Sequence, residues 1–106
     1  MVTAAGEIDL TNAESLRDAL LSALNAGALG LVVDLTATTF LDSAGVTALV
    51  RASRRSAATE ATLRLAVTAA PVLRVLNLVG IDQLIEVYPS VSDAVASLPE
   101  HRTEPA

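Results

Sequence analysis

Residues 29–45 carry the clearest structural signal in the chain, LGLVVDLTATTFLDSAG. Their first part, Leu29–Leu35, is a nearly continuous apolar run with two adjacent valines, which is typical of a central strand buried on both faces. Beyond Gly45, apolar residues recur every three or four positions, which predicts a helix. A buried strand therefore passes into a helix, and in α/β sheets functional sites usually lie just beyond the carboxyl ends of the strands.

The flanking sequence alternates between strand and helix patterns. Thr11 and Glu14 have the spacing of a capping box, so a helix is expected to begin there and to end near Gly27. Further strands are predicted at Leu63–Val67 and Leu84–Val87, with helices from Pro71 to Gly80 and from Ala94 to Leu98 behind a Ser90 cap. This alternation predicts an α/β layer of parallel strands joined by helical crossovers.

Length and composition exclude several classes of function. The 106 residues suffice for one domain, expected at 1–98, followed by a polar tail at 99–106. A net charge of −5 argues against nucleic-acid binding, and the longest run without a charged residue has only 15 residues, too few to span a membrane. There is no cysteine, the one histidine is His101 in the tail, and no glycine-rich phosphate loop occurs. We therefore expect a cytoplasmic protein that is not an enzyme and has no metal site or cofactor.

The junction at Asp42-Ser43-Ala44-Gly45 is the candidate functional segment. Asp42 or Ser43 is the natural N-cap of the following helix, and such a residue most often has only this structural role. The helix N-terminus also offers free N–H groups and a partial positive charge, which would favour a phosphate on Ser43.

Three segments together resemble the STAS domain of bacterial anti-sigma factor antagonists. They are Gly6-Glu-Ile-Asp-Leu10, Leu31-Val-Val-Asp-Leu35 and Phe40-Leu-Asp-Ser-Ala-Gly-Val46. The likeness extends over about residues 6–98, and its specific part is Asp-Ser-x-Gly with a phenylalanine two residues before the aspartate. The resemblance implies an α/β, STAS-like mixed or parallel β-sheet of about four strands packed against about four helices.

The same resemblance implies a regulatory function. In that family the serine of Asp-Ser-x-Gly is phosphorylated by a partner kinase that is also the anti-sigma factor, which makes Ser43 the switch residue. A serine phosphatase would reset the switch, and binding to the kinase would release a sigma factor. The alternative is a STAS binding or scaffold module without phosphorylation, in a signalling complex or associated with transport.

Asp9 is expected near the phosphorylation site by the same resemblance, although a turn aspartate before Thr11 is an equally good interpretation. Thr39 is either a second phosphorylation site or, as we favour, an ordinary loop residue. The predicted partner-binding residues are Asp9, Thr11, Thr39, Asp42, Ser43, Ala44 and Thr47.

The chain departs from the family pattern at its start. STAS domains of this kind usually have a strand before the Gly-Glu-x-Asp strand, whereas only five residues precede Gly6. Either the true start lies upstream or the protein is naturally short; in both cases we expect Val2–Ala5 to be a stub and a sheet edge to be open. Because an unpaired edge favours pairing with another chain, the sequence predicts a homodimer through this edge.

Overall fold

The computed structural model describes residues 1–99, so the predicted tail falls outside the described residues from position 100 on. The strands are β1 (Val2–Ile8), β2 (Gly30–Leu41), β3 (Thr62–Val67) and β4 (Glu86–Tyr88). The helices are α1 (Ala13–Asn25), α2 (Ser43–Ala58), α3 (Ala70–Val79) and α4 (Val91–Ala96), with a short 3₁₀ turn at Ile81–Gln83. The predicted α/β alternation is confirmed.

The four strands form one sheet in the order β1-β2-β3-β4, and every neighbouring pair is parallel. Helices α1, α2 and α3 share the main apolar core with the strands, and Leu20, Leu35 and Leu65 are fully buried in it. Helix α4 covers the opposite face, where Ala94 packs with Val32 and Ala66. The sheet is therefore buried on both faces at its centre, as the apolar run predicts.

The central strand is longer than its apolar run indicates. β2 continues to Leu41, so Thr39 is a strand residue and the expectation of a loop there is wrong. One step in β1, from Gly6 to Glu7, matches two steps in β2, from Thr38 to Phe40, which leaves Thr39 as the extra residue of a bulge. Thr38 is buried and its hydroxyl donates to the Ala4 carbonyl (3.0 Å), a long-range contact that keeps this polar segment in the sheet.

The start of the chain also differs from the expectation. Val2–Ala5 are not a stub but belong to β1, where they pair with β2. Within residues 1–99 no strand lies outside β1, so the predicted open edge is present.

Of two helix boundaries predicted from local sequence signals, one is wrong and one is confirmed. The capping box at Thr11 is wrong, because α1 begins one residue later behind Asn12 and the Thr11 hydroxyl bonds Asp9 instead. The end of α3 is confirmed, since Gly80 (φ 81°) is its left-handed C-cap, a conformation that glycine adopts without strain. No helix of residues 1–99 has the length and apolar character needed to cross a membrane.

Candidate protein-binding site at the carboxyl edge of the sheet

The site forms where β1 and β2 end side by side. Ile8 lies opposite Leu41 in the parallel ladder, and the Asp42 N–H donates to the Ile8 carbonyl (3.0 Å). The loop that begins with Asp9 and the turn that begins with Asp42 are therefore neighbours. The structure thus brings two segments 33 positions apart in sequence to one edge of the sheet, as expected for parallel strands.

Asp42 is the N-cap of α2. Its carboxylate accepts hydrogen bonds from the N–H groups of Ala44 (2.9 Å) and Gly45 (3.3 Å). The expectation of free N–H groups at this helix end is therefore wrong for these two residues, because Asp42 already occupies them. A new anion at Ser43 would be placed beside this carboxylate rather than in an empty anion site.

Ser43 is the first residue of α2 and is exposed. Its carbonyl accepts a hydrogen bond from the Thr47 hydroxyl (2.9 Å), whereas no hydrogen bond within residues 1–99 engages its own hydroxyl. The described residues also offer no histidine to act as a base beside it. The Ser43 hydroxyl is therefore open to a partner molecule.

Gly45 brings the first turn of α2 against the ends of β1 and β2. It is buried, and a Cβ atom there would lie 2.3 Å from Leu41 Cδ1 and 3.1 Å from Ile8 Cγ2. The glycine of the Asp-Ser-x-Gly segment is therefore required for this close approach, which sets the position of Ser43 above the strand ends.

The loop after β1 is held by its own polar side chains. The Asp9 carboxylate accepts hydrogen bonds from the Thr11 hydroxyl (2.5 Å) and the Thr11 N–H (2.9 Å). The side chain of Asn12 donates to the Glu7 carbonyl (2.8 Å) and accepts from the Asp9 N–H (2.9 Å). The two bonds from Thr11, that of the hydroxyl first, hold the pKa of the Asp9 carboxyl below its ordinary value. The structure shows the turn role of Asp9, and its role in partner binding stays a prediction.

Replacing Thr11 by valine is expected to raise the pKa of Asp9 toward the ordinary aspartate value, because the strongest donor to the carboxylate is lost. Since the folded-state pKa is lowered, ionised Asp9 stabilises the fold above the ordinary pKa, and this contribution disappears as the pH falls through the lowered value. Titration of the side-chain carboxyl carbon by NMR measures the shift. Thr39→Val, at an exposed threonine outside this loop, is the control, and an unchanged Asp9 pKa in Thr11→Val would contradict the assignment.

A groove of about 420 Å³ runs between α1 and α2 beside Ser43. It is lined by Leu10, Ala13, Glu14, Arg17, Ser43, Ala44, Thr47, Ala48 and Arg51. Of the predicted partner-binding residues, it includes Ser43, Ala44 and Thr47. Asp9, Thr11 and Asp42 are in the adjoining loop and turn, and Thr39 is set apart in the β2 bulge.

Six of the nine groove residues are not among the predicted partner-binding residues, and they include Leu10, Arg17 and Arg51. Leu10 is 84% exposed and adds an apolar side chain to the groove. Arg17 contributes its side chain but is paired with Glu14 (3.3 Å) and Asp18 (2.9 Å). Arg51 has no ion pair within residues 1–99 and follows Thr47 by one helical turn, a spacing that could have indicated its place on the site face.

The described residues contain no group of three or more histidine, cysteine, aspartate or glutamate side chains that could hold a metal ion.

Fold and site together define a small α/β domain that presents an exposed serine on the first helical turn after a buried strand. The chain belongs to the STAS domain family, whose model matches residues 1–94.

Solved structures agree with this assignment. An anti-sigma factor antagonist from Mycobacterium paratuberculosis has 26% identity and a TM-score of 0.84, with 92% of this chain and 83% of that chain covered. An anti-sigma-factor antagonist (STAS) domain protein from Planctomyces limnophilus has 20% identity and a TM-score of 0.77, with 88% and 80% covered. A sulfate transporter family protein from Wolinella succinogenes has 17% identity and a TM-score of 0.72, with 91% and 86% covered. The last two show likeness of fold alone, and no curated protein matches the chain.

Proposed function

We propose that this protein is an anti-sigma factor antagonist that binds an anti-sigma factor kinase and is switched off by phosphorylation of Ser43. The observation that carries the proposal is the exposed Ser43 hydroxyl, without an internal hydrogen-bond partner within residues 1–99, at the start of α2 beside the Asp9 loop. The similarity to the mycobacterial antagonist supports the partner class. STAS domains of such antagonists are in general binding proteins rather than enzymes.

The charge of the site explains how a phosphate would act. Phosphorylation adds about −1.5 to −2 charges at neutral pH. Asp42 already occupies the N–H groups of Ala44 and Gly45, and the Asp9 carboxylate belongs to the neighbouring loop. The helix N-terminus offsets part of the added charge, and the remainder faces solvent or partner, where it opposes binding through repulsion and desolvation.

The surface proposed for the kinase comprises Asp9, Thr11, Asp42, Ser43, Ala44 and Thr47, to which the groove adds Leu10 and Arg51. Thr39 belongs to this surface only if the partner also reaches the β2 bulge. A serine phosphatase restores the unmodified hydroxyl, and the sigma factor is released in the cytoplasm when the unmodified protein binds the kinase. Phosphorylation therefore acts at the interface and requires no change of fold.

The test is the intact mass of the protein after incubation with magnesium and ATP in a soluble lysate of its own source cells. We expect one added phosphoryl group on the natural chain and none on Ser43→Ala, because Ser43 is the acceptor. Ser22→Ala, which removes an exposed hydroxyl of α1 outside the proposed surface, is the matched control and should be modified normally. If the natural chain stays unmodified while it still recovers binding partners, the alternative of an unphosphorylated scaffold module is favoured.

A further inference from the structure

We propose that the basic part of α2 binds a cluster of carboxylates on the anti-sigma factor kinase, and that this contact sets the register in which Ser43 enters the kinase active site. The inference rests on the proposed function and names the partner chemistry at the far end of the same surface. α2 contains Arg51, Arg54 and Arg55 but no acidic residue, although the whole chain has a net charge of −5. Three of the seven arginines of the chain therefore lie on the helix that begins with Ser43.

Two of these arginines share one exposed face of α2 with the serine. At about 100° per residue, a sector of about 80° of the helix circumference contains Ser43, Thr47, Arg51 and Arg54. All four residues are exposed. A partner that covers Ser43 and continues along this face of α2 therefore meets both Arg51 and Arg54.

The two arginines on this face are not neutralised within the described part of the chain. Residues 1–99 provide neither an ion pair nor a hydrogen bond for the guanidinium groups of Arg51 and Arg54. By contrast, Arg17 on α1 pairs with two carboxylates, and Arg55 donates to the Asn25 side chain (2.6 Å). Guanidinium groups bind carboxylates through two parallel hydrogen bonds. Two unpaired guanidinium groups on one face therefore match a pair of acidic side chains on a partner.

The distances along α2 define where those acidic side chains belong. Arg51 and Ser43 both line the groove between α1 and α2, and the eight residues that separate them span about 12 Å of helix. Arg54 is about 17 Å from Ser43 along the same axis. The Asp42 and Asp9 carboxylates lie at the opposite, Ser43 end of the surface. The surface is therefore acidic at one end and basic at the other, so only one orientation of a complementary partner satisfies both ends.

The initial rate of Ser43 phosphorylation tests this contact. Full-length chains are incubated with magnesium and ATP in a soluble lysate of the source cells, and the intact mass is followed over time. We expect Arg51→Glu to lower the rate at least about tenfold and Arg54→Glu to lower it as well, because like charges would then face each other. Arg74→Glu makes the same charge change at an exposed position on α3, is the matched control, and should be modified normally.

Salt dependence separates a charge contact from a structural effect of these variants. Added salt screens exposed charges, so it should slow modification of the natural chain and bring its rate closer to that of Arg51→Glu. A loss of structure in the variant would not produce this convergence. Circular dichroism checks that the fold is retained, as expected for an exposed side chain without an internal partner in residues 1–99.

Carbodiimide coupling identifies the partner's groups directly. The chain contains no lysine, so Arg51→Lys places a single side-chain amine at this position while keeping its charge. The kinase is purified by its activity on the natural chain and mixed with the variant and ADP, so that Ser43 stays unmodified. Carbodiimide should then join this amine to an aspartate or glutamate of the kinase, which mass spectrometry locates. Arg74→Lys is the control and should form no such link.

The outcomes distinguish this inference from the proposed function. If Ser43 is phosphorylated and Arg51→Glu leaves the rate unchanged, the inference is overturned while the proposed function stands. The absence of a carbodiimide link from Arg51→Lys would overturn it in the same way. If the natural chain gains no phosphoryl group, the proposed function and this inference fail together.

Discussion

Ser43→Asp is expected to weaken binding to the anti-sigma factor kinase by at least about tenfold, or about 1.4 kcal/mol. The substitution places a permanent carboxylate beside that of Asp42, which already accepts the N–H groups at the start of α2. The new charge must therefore be desolvated against the partner, and the occupied N–H groups of Ala44 and Gly45 cannot compensate it. Isothermal titration calorimetry with the kinase that phosphorylates the natural chain measures the loss.

Three controls separate charge from other effects of this substitution. Ser43→Asn has the size of aspartate without its charge and should bind much more tightly than Ser43→Asp, and Ser43→Ala should bind like the unmodified protein. Ala57→Asp adds the same charge at an exposed position near the end of α2 and should leave binding unchanged. Equal affinities of the aspartate and asparagine variants would contradict the electrostatic switch.

Gly45→Ala is expected to destabilise the fold by about 1–3 kcal/mol, the usual cost of overpacking a core. The added Cβ would lie 2.3 Å from Leu41 Cδ1 and 3.1 Å from Ile8 Cγ2, and both of these side chains are at most 2% exposed. Relief requires α2 to move away from the strand ends, and this movement would also displace Ser43. Chemical denaturation measures the free energy of unfolding.

Two comparisons test the cause of this destabilisation. Gly30→Ala is the matched control, because its Cβ would contact only the flexible end of Leu98 at 3.2 Å. Leu41→Ala leaves space at the contact, so Gly45→Ala should cost less in that background than in the natural chain. Equal costs in the two backgrounds would show that the clash with Leu41 is not the reason.

Much of the fold was predictable because its signals are short-range. The apolar run at Leu31–Leu35, the Gly80 helix end and the Asp42 cap each depend on residues within about one helical turn or one strand. Each of these patterns lies within one contiguous segment of the chain. The sequence therefore predicts the order of strands and helices and the position of Ser43 at a strand-to-helix junction.

The site was predictable only in part because its remaining features involve competing or distant partners. The Thr11 hydroxyl has two local partners within reach, the N–H groups of the helix start, from which it could accept, and the Asp9 carboxylate, to which it donates. Spacing alone does not show that Asp9 is preferred. The exposure of Leu10 and the place of Arg51 in the groove depend on how α1 packs against α2. The spacing of hydrophobic residues in the sequence does not predict how these two helices pack against each other.

The sequence by itself determined an α/β alternation, a buried central strand, and a serine beside the helix cap that follows this strand. Each of these follows from hydrophobic periodicity and from hydrogen bonding between near neighbours. Only the tertiary structure decided that β2 extends to Leu41, that Gly45 must be free of a Cβ, and that Val2–Ala5 belong to β1. The extent of both strands depends on the register of segments more than 30 residues apart, such as Thr38 with Ala4, and the tight space at Gly45 depends on Ile8 as well as on Leu41. Long-range approach is a property of the packed molecule, which local sequence patterns do not encode.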